Sequence, residues 1–387
     1  MDITMMSSRQ NKRPVQQQVT NTQHHEDEDE EADEEKVTSS KNNEEKKKEK
    51  KEKKSDHQEI YELKNGDLSV KFTNWGATIM SLTLPDKHGK LGDVVLGYDK
   101  VKNYKKDTVY FGSIVGRVAN RIGKSQFKVN GKQYKTNANE GANTLHGGKK
   151  GFSDVLWTVQ AHQNESLPHI VFAYNSTDNE QGFPGDLQVI VNYTLIEKNQ
   201  LSVVIRAKAL NKATPVNLAQ HSYWNLGGHD SGNILSEEVQ IFASKYTPVD
   251  SKLIPTGEIV TVKGTPFDFL KPHTIGSTIN KLPKGYDINY ALDGPNNGMK
   301  KAAIVIDKRS GRKMELLTNQ PGVQFYTGNM LNNVKGKGGV VYNAHAGLCL
   351  ETQGYPDSVN HPKFPSQIVN SGQTYEHLML YKFSVVS

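Results

Sequence analysis

Hydrophobic and polar residues alternate along most of the chain from Glu59 onward. Residues 187–195 and 201–207 show the pattern most plainly, and turn-forming residues interrupt it about every eight to twelve positions. A period of two is that of a strand with one buried face, whereas an amphipathic helix needs a period of about 3.6. No window keeps an apolar stripe at helical spacing. The pattern therefore predicts an all-β fold of antiparallel strands.

A hairpin is predicted at Asn130-Gly131, which separates the alternating runs 126–129 and 132–136. A two-residue type I′ turn needs positive φ angles at both central positions, and asparagine and glycine tolerate them best. This dipeptide is therefore a strong local signal for two paired strands.

The segment just before the hairpin ends in Gly-Lys-Ser, as a phosphate-binding loop does. Six residues separate Gly116 from Gly123, whereas that loop requires four between its glycines. The predicted hairpin also stands where such a loop needs a helix whose N-terminus can hold phosphate. We therefore exclude a nucleotide site in this segment.

Residues 57–387 are more than most single hydrophobic cores accommodate, so they form either two domains or one large sandwich. No linker rich in Pro, Gly or Ser divides them. The polar motifs that carry candidate chemistry are spread from Arg121 to Glu351 and must converge within one fold. We predict one domain over residues 57–387, a large antiparallel β-sandwich.

Residues 1–56 have a different composition, with an acidic run at 26–31 and a Lys-rich run at 46–54. This low-complexity segment holds 12 Lys/Arg and 15 Asp/Glu and has few apolar residues to bury, so we expect it to be disordered. The Lys-rich run is compatible with nuclear import or a polyanion contact, and the alternative is a solvated charged tail. No aromatic residues are interleaved with basic ones in the remainder, so we expect no nucleic-acid partner.

The cellular location is predicted from what the sequence lacks. Its start has no apolar signal-like run, and no stretch has the roughly 18 consecutive apolar residues of a membrane span. The single cysteine, Cys349, cannot form an intramolecular disulfide and fits a reducing compartment. We expect a cytoplasmic protein without a membrane partner.

Two distant segments, residues 220–226 and 347–357, carry the strongest candidate chemistry. They supply His221 and Glu351, each where an apolar run meets a turn-rich stretch, so each side chain could be presented at a sheet edge or cleft. An imidazole and a carboxylate are the usual groups of general acid–base catalysis. Metal binding by His146 and His221 is the alternative, but no ligand at i+3 or i+4 completes either site, so we expect no metal.

Eight segments in order resemble the aldose 1-epimerases (galactose mutarotases), from about residue 60 to the C-terminus. They are residues 116–122, 143–148, 221–226, 246–250, 265–269, 285–287, 322–329 and 350–353. The resemblance implies the fold of that family, an oversized antiparallel β-sandwich (a supersandwich, galactose mutarotase-like) with a sugar cleft. It also implies a reaction without cofactor or metal.

The same resemblance implies roles for single residues. Glu351 corresponds to the general base and His221 to the general acid. The implied sugar-binding residues are Asn120, Arg121, His146, Asp287 and Gln324. The alternatives are that Arg121 forms a structural salt bridge and that either histidine is only structural. The family commonly has a histidine after the aspartate, whereas this chain has Ile288, which cannot donate a hydrogen bond.

The resulting expectation is an aldose 1-epimerase that interconverts the α and β anomers of a hexopyranose such as galactose or glucose, with this small sugar as its partner. Three alternatives stay open. A catalytically silent carbohydrate-binding protein would keep the sugar contacts without the proton carriers. A glycoside hydrolase would use two carboxylates, such as Asp287 and Glu351. A sugar-phosphate epimerase would add a cationic cluster in the cleft.

Overall fold

The computed structural model of the protein describes residues 59–296 and 298–387. The predicted disorder of residues 1–56 lies outside these residues. Over the described part, no helix is both long and apolar enough to cross a membrane.

Strands dominate the described residues, and the one α-helix among them, α1 (Val101–Tyr104), has a single turn. In chain order the strands are β1 (Ile60–Asn65), β2 (Leu68–Thr73), β3 (Thr78–Pro85), β4 (Leu91–Asp93), β5 (Ile114–Val115), β6 (Arg121–Ile122), β7 (Gln126–Val129), β8 (Lys132–Lys135), β9 (Thr144–Leu145), β10 (Thr158–Gln163), β11 (His169–Ser176), β12 (Leu187–Glu197), β13 (Gln200–Ala209), β14 (Thr214–Pro215), β15 (Ala219–Gln220), β16 (Glu238–Ile241), β17 (Lys245–Thr247), β18 (Val260–Thr261), β19 (His273–Thr274), β20 (Asp287–Ala291), β21 (Lys300–Ile306), β22 (Arg312–Thr318), β23 (Gly322–Tyr326), β24 (Val334–Lys335), β25 (Val341–Tyr342), β26 (Cys349–Gln353), β27 (Ile368–Val369) and β28 (Thr374–Val385). Short 3-10 turns lie at Gly123–Ser125, Phe152–Asp154, Glu180–Gly182, Ile275–Ser277, Ile279–Lys281, Lys337–Gly339 and Ser358–Asn360.

Three sheets carry most of the strands. The largest has nine strands in the order β10-β11-β12-β13-β28-β22-β21-β16-β19. A five-stranded sheet has the order β18-β17-β20-β23-β26, and β1 to β4 form a meander. The remaining strands form two-stranded pairs: β5 with β15, β6 with β9, β7 with β8, β14 with β27 and β24 with β25. Every paired strand in the described residues runs antiparallel to its partner, as the alternation predicted.

The core lies between the nine-stranded sheet and the two smaller sheets. Buried residues of β12 and β13 alternate with more exposed ones, which confirms the two strands predicted at 187–195 and 201–207. One continuous hydrophobic cluster joins them to apolar residues of the meander and of the five-stranded sheet. Tyr193, for example, packs against Phe72 and donates its hydroxyl hydrogen to the Ala77 carbonyl. The predicted large antiparallel β-sandwich is confirmed.

The predicted hairpin is also present as β7 and β8. Asn130 and Gly131 have φ angles of 50° and 79°, as a type I′ turn requires. The segment that resembled a phosphate-binding loop is a 3-10 turn at Gly123–Ser125 that leads into this hairpin, so no helix follows it.

Candidate active site

One face of the five-stranded sheet carries the carboxylates of the site. Gln324 on β23 is paired with Asn289 on β20 and with Glu351 on β26, so these three side chains lie on the same face. Asp287 lies two residues before Asn289 and shares that face, where its Oδ1 accepts a 2.7 Å hydrogen bond from Nε2 of Gln324. The site thus uses the polar face of a sheet whose other face is core.

His221 reaches the same place from the short β5–β15 pair. Its backbone N–H donates to the Ser113 carbonyl, and its own carbonyl accepts the N–H of Gly112. The imidazole lies between two tyrosine rings, with centroid distances of 5.6 Å to Tyr110 and 5.2 Å to Tyr223. These contacts fix the plane of the ring, so its two nitrogens have defined directions.

Backbone pairing fixes the segment after His221 to the start of β26. Trp224 and Leu348 exchange two hydrogen bonds, with N···O distances of 2.7 Å and 2.9 Å. Trp224 is itself held in the core against Tyr381 and Phe383. The separation between the histidine segment and the glutamate strand is therefore set by a rigid connection.

Nε2 of His221 lies 3.6 Å from Oε1 of Glu351, and the two side chains are only 4% and 3% exposed. Burial lowers the pKa of His221 to about 4, because the imidazolium ion has lost its water. Burial also raises the pKa of Glu351 to about 8, with the nearby Asp287 adding to the rise and Arg121 opposing it. Oε2 of Glu351 is buried without a hydrogen-bond partner, so it is available to a ligand hydroxyl.

Arg121 lies on β6 with its guanidinium buried beside the carboxylates. Its Nε and Nη2 donate to the two carboxylate oxygens of Glu140 at 2.6 Å and 2.7 Å, a bidentate pair. Arg121 therefore does form a salt bridge, which was the alternative to its role in sugar binding. Burial raises the pKa of Asp287, and the positive charge of Arg121 and the bond from Gln324 act against the rise.

Asn120 and His146 hold each other in left-handed backbone conformations, with φ angles of 58° and 50°. The Asn120 N–H donates to Nδ1 of His146 at 3.1 Å, and the His146 N–H donates to the Asn120 carbonyl at 3.0 Å. Oδ1 of Asn120 accepts the N–H of Arg121. Because Nδ1 is an acceptor, the proton of neutral His146 is on Nε2. Burial keeps the pKa of His146 well below its usual value, so this ring is a neutral donor.

His146, His221 and Glu351 each offer a ligand atom within 4.8 Å of the other two. The spacing argument against a metal was thus incomplete, because the third ligand type comes from a distant strand. The tautomer of His146 opposes metal binding all the same. A histidine ligand normally donates its second N–H to an acceptor, whereas here the second nitrogen faces the N–H of Asn120. The arrangement suits a hydrogen-bond donor better than a metal ligand.

A cleft of about 730 Å³ opens next to these groups. Arg121, Glu140 and Asp287 form its polar end, and because Arg121 and Asp287 both act on the charge of Glu351, this end adjoins the buried pair. The other walls are largely apolar and include Val249, Leu253, Phe267, Tyr326 and Met330. Lys252 and Lys284 line the cleft as well and are exposed.

The structure brings the seven predicted site residues into one region through the contacts described above. The sequence indicated that Glu351 lies at the end of a strand. In the structure it lies in the middle of β26. Ile288 lies on the opposite face of β20 from Asp287 and is buried in the hydrophobic core, and it adds apolar surface to the wall of the cleft. Sequence reasoning missed Glu140. Its position was the only signal, because Glu140 begins a short turn that is closed by Asn143, the first residue of the motif that contains His146.

An antiparallel β-sandwich that holds a carboxyl and an imidazole in contact beside the polar end of a cleft defines an enzyme equipped for proton transfer. Residues 59–382 match the family model for aldose 1-epimerase. Galactose mutarotases from Bos taurus and Homo sapiens are each 46% identical over 329 residues, which is 84% of this chain and 94% of each relative. The aldose 1-epimerase of Escherichia coli K12 is 34% identical over 326 residues, 82% of this chain and 93% of that protein.

Solved structures agree with these relatives. A GalM/aldose epimerase homologue from C. elegans has a TM-score of 0.80 at 30% identity, covering 86% of this chain and all of that one. Galactose 1-epimerase from Lactobacillus acidophilus NCFM has a TM-score of 0.74 at 26% identity, covering 84% and 94%. The chain belongs to the aldose 1-epimerase family. It is an isomerase with aldose 1-epimerase activity.

Proposed function

We propose that the protein interconverts the α and β anomers of a hexopyranose with Glu351 as general base and His221 as general acid. Glu351 takes the proton of the C1 hydroxyl while His221 gives a proton to the ring oxygen O5, and the C1–O5 bond breaks. The free aldehyde then turns about C1–C2 and presents its other face. Reclosure reverses both proton transfers, so no proton is gained or lost over the cycle.

The observation that carries this proposal is the buried contact between Nε2 of His221 and Oε1 of Glu351. With pKa values of about 4 and about 8, the pair holds one transferable proton at neutral pH. These pKa values place the proton on Glu351 in the empty site, so it must move to His221 before the ring of the bound sugar can open. Placed on Glu351, it suits the open aldehyde. The two ends of the cycle thus correspond to two positions of one proton, which burial keeps from being exchanged with water.

The remaining polar groups fit the task of holding the sugar while its aldehyde turns. The Nε2–H of neutral His146 donates, Asp287 accepts, and Arg121 offers donors not used by Glu140. Gln324 is held by Asp287 on one side and by Nε2 of Gln353 on the other. A hydroxyl-rich ligand with several alternating donors and acceptors complements this set.

For the sugar itself we propose galactose and glucose. The name galactose mutarotase printed for the mammalian relatives supports the first. A sugar phosphate is the second candidate, because Lys252 and Lys284 add exposed positive charge to the wall of the cleft.

Polarimetry tests the proposal directly. Freshly dissolved α-galactose and α-glucose should approach their equilibrium rotation much faster with the protein than without it. A protein that binds sugar by calorimetry and leaves the rotation rate unchanged would be a silent binder. Faster equilibration of a hexose 6-phosphate than of either free sugar, lost in Lys252→Ala/Lys284→Ala, would favour the second candidate.

A further inference from the structure

Strand β26 faces both nitrogens of the His221 ring. Cys349 and Glu351 are two residues apart on this strand, so their side chains share one face. Oε1 of Glu351 lies 3.6 Å from Nε2, and Sγ of Cys349 lies 3.7 Å from Nδ1. One strand therefore places a carboxyl next to one nitrogen of the imidazole and a thiol next to the other.

A histidine that shuttles protons through Nε2 must keep a proton on Nδ1 throughout the cycle. Only then does Nε2 carry a bare lone pair after it has given its proton to O5, ready to take that proton back on reclosure. A hydrogen-bond acceptor at Nδ1 holds this tautomer in place, as the aspartate of serine proteases does. The carbonyl of His221 also lies near its own ring, but one of its two lone pairs already accepts the N–H of Gly112, so the sulfur of Cys349 is the acceptor from outside the residue.

We propose that Cys349 is a positioning residue whose sulfur accepts the Nδ1–H of His221 and so keeps Nε2 as the shuttling nitrogen. The inference rests on the proposed role of His221 as the acid. Sulfur is a weak acceptor, and the distance of 3.7 Å is within the range of N–H···S contacts. Cys349 is fully buried, so no bulk water competes for its thiol.

A thiol in this position has a different consequence from a carboxylate. Burial raises the pKa of Cys349 well above its usual value, so the sulfur stays uncharged and stabilises an imidazolium ion less than a carboxylate would. The protonated ring remains a strong acid toward O5. The groups that face this ring are Glu351 and Cys349 from β26, His146 at its edge, and Tyr110 and Tyr223 on its faces.

Three variants test the inference in the full chain: Cys349→Ala removes the acceptor, Cys349→Ser replaces it with oxygen, and Leu350→Val is the control. Leu350 is buried on the opposite face of the same strand, so its change probes packing alone. Cys349→Ala should lower kcat about fivefold, the size of one weak hydrogen bond, with KM changed less than about twofold. The acidic limb of its pH profile should move to lower pH, because the imidazolium loses its partner. Cys349→Ser should recover most of kcat.

NMR of the wild-type chain with ¹⁵N-labelled histidine gives an independent readout. The His221 signal is assigned by its loss in His221→Asn, and the proton of the neutral ring should be on Nδ1. A proton found on Nε2, or a Cys349→Ala chain with unchanged kcat and pH profile, would overturn the inference. If His221→Asn itself kept its activity, the proposed role of His221 would fail instead, so the two failures are distinguishable.

Discussion

The two halves of the candidate site are built on different kinds of backbone. The carboxylate half lies on one face of the regular five-stranded sheet and consists of Asp287, Gln324 and Glu351. The imidazole half lies on two-residue strands and the loops beside them and consists of Asn120, Arg121, His146 and His221. The comparison shows two ways in which a β-sandwich can aim a buried polar group.

In the carboxylate half, strand alternation sets the side-chain direction, so each group is aimed by its register. In the imidazole half, Asn120 and His146 adopt left-handed conformations that cost on the order of 1–3 kcal/mol each. Their mutual hydrogen bonds, buried away from water, offset that strain. The imidazole half therefore depends on specific local contacts, whereas the carboxylate half depends on the sheet.

The largest effect is expected where the two halves meet. His221→Asn and Glu351→Gln should each lower turnover by about 10² to 10⁴-fold, the usual contribution of a general acid or base, while sugar affinity changes little. The double variant should be only slightly worse than either single one, because loss of one partner already disables the relay. Polarimetry at several sugar concentrations and calorimetry measure both quantities. A single variant that keeps more than about a tenth of the turnover would make Asp287 or His146 the next candidate.

The pH profile tests whether both halves share one proton. Below a pH of about 4 the pair gains a second proton on His221, and above about 8 it loses the last one from Glu351. The kcat/KM should therefore form a bell with limbs near these values, falling about tenfold per pH unit outside them. Spontaneous mutarotation, measured without protein at each pH, is the background. A flat profile through pH 8 to 10 would contradict the raised pKa of Glu351.

The substitution Glu140→Gln tests the imidazole half, because it should weaken the hydrogen bonds that hold the guanidinium of Arg121 in place. The bidentate ion pair becomes at most a single hydrogen bond from the guanidinium to a neutral amide oxygen, so KM should rise about tenfold with a smaller change in kcat. Glu376→Gln is the matched control, because it removes an exposed pair with Arg206 on the nine-stranded sheet. Equal KM values for the two variants would show that Glu140 does not position Arg121.

A metal would join the two halves at His146, His221 and Glu351, and we expect it to be unnecessary. EDTA followed by dialysis should leave turnover within about 20% of its starting value, because the site needs only proton carriers and donors. Zinc is then added back. Activity that disappears with the chelator and returns with zinc would show that the proton on Nε2 of His146 was wrongly inferred.

The smallest effect is expected from shortening the chain. Neither half contains a residue before Asn120, and residues 1–56 lack the apolar periodicity to pack on a sandwich. A chain that begins at Asp56 should keep the full turnover. Circular dichroism confirms equal folding, and a large loss of turnover at equal folding would show that the tail contributes to the reaction. Limited proteolysis should cut first within residues 1–56.

The sequence predicted the elements that depend on local pattern. Alternation gave the long strands at 187–195 and 201–207, and Asn130-Gly131 gave the hairpin, because both follow from backbone geometry within a few residues. It did not predict that Glu351 lies in mid-strand, since the apolar run before it and the polar residues after it look like a strand end. That strand continues because Gln353 is still paired with Gly322 on β23.

Within the site, the motifs in the sequence indicated seven residues, but not the partners that orient them. Glu140 and Cys349 carry no distinctive local pattern, and each gains its meaning only from a contact with a residue elsewhere in the chain. The tautomer of His146 likewise depends on a backbone N–H that is 26 residues away. Such relations are set by packing, which local sequence does not encode.

The sequence by itself determined the all-β architecture, the family and the types of group available for chemistry, because periodicity and motifs are properties of neighbouring residues. Only the tertiary structure decided that the carboxyl of Glu351 and the imidazole of His221, 130 residues apart, meet at 3.6 Å out of contact with water. Burial then moved their pKa values in opposite directions. The physical reason is desolvation, which acts on a group through its surroundings in space and not through its neighbours along the chain.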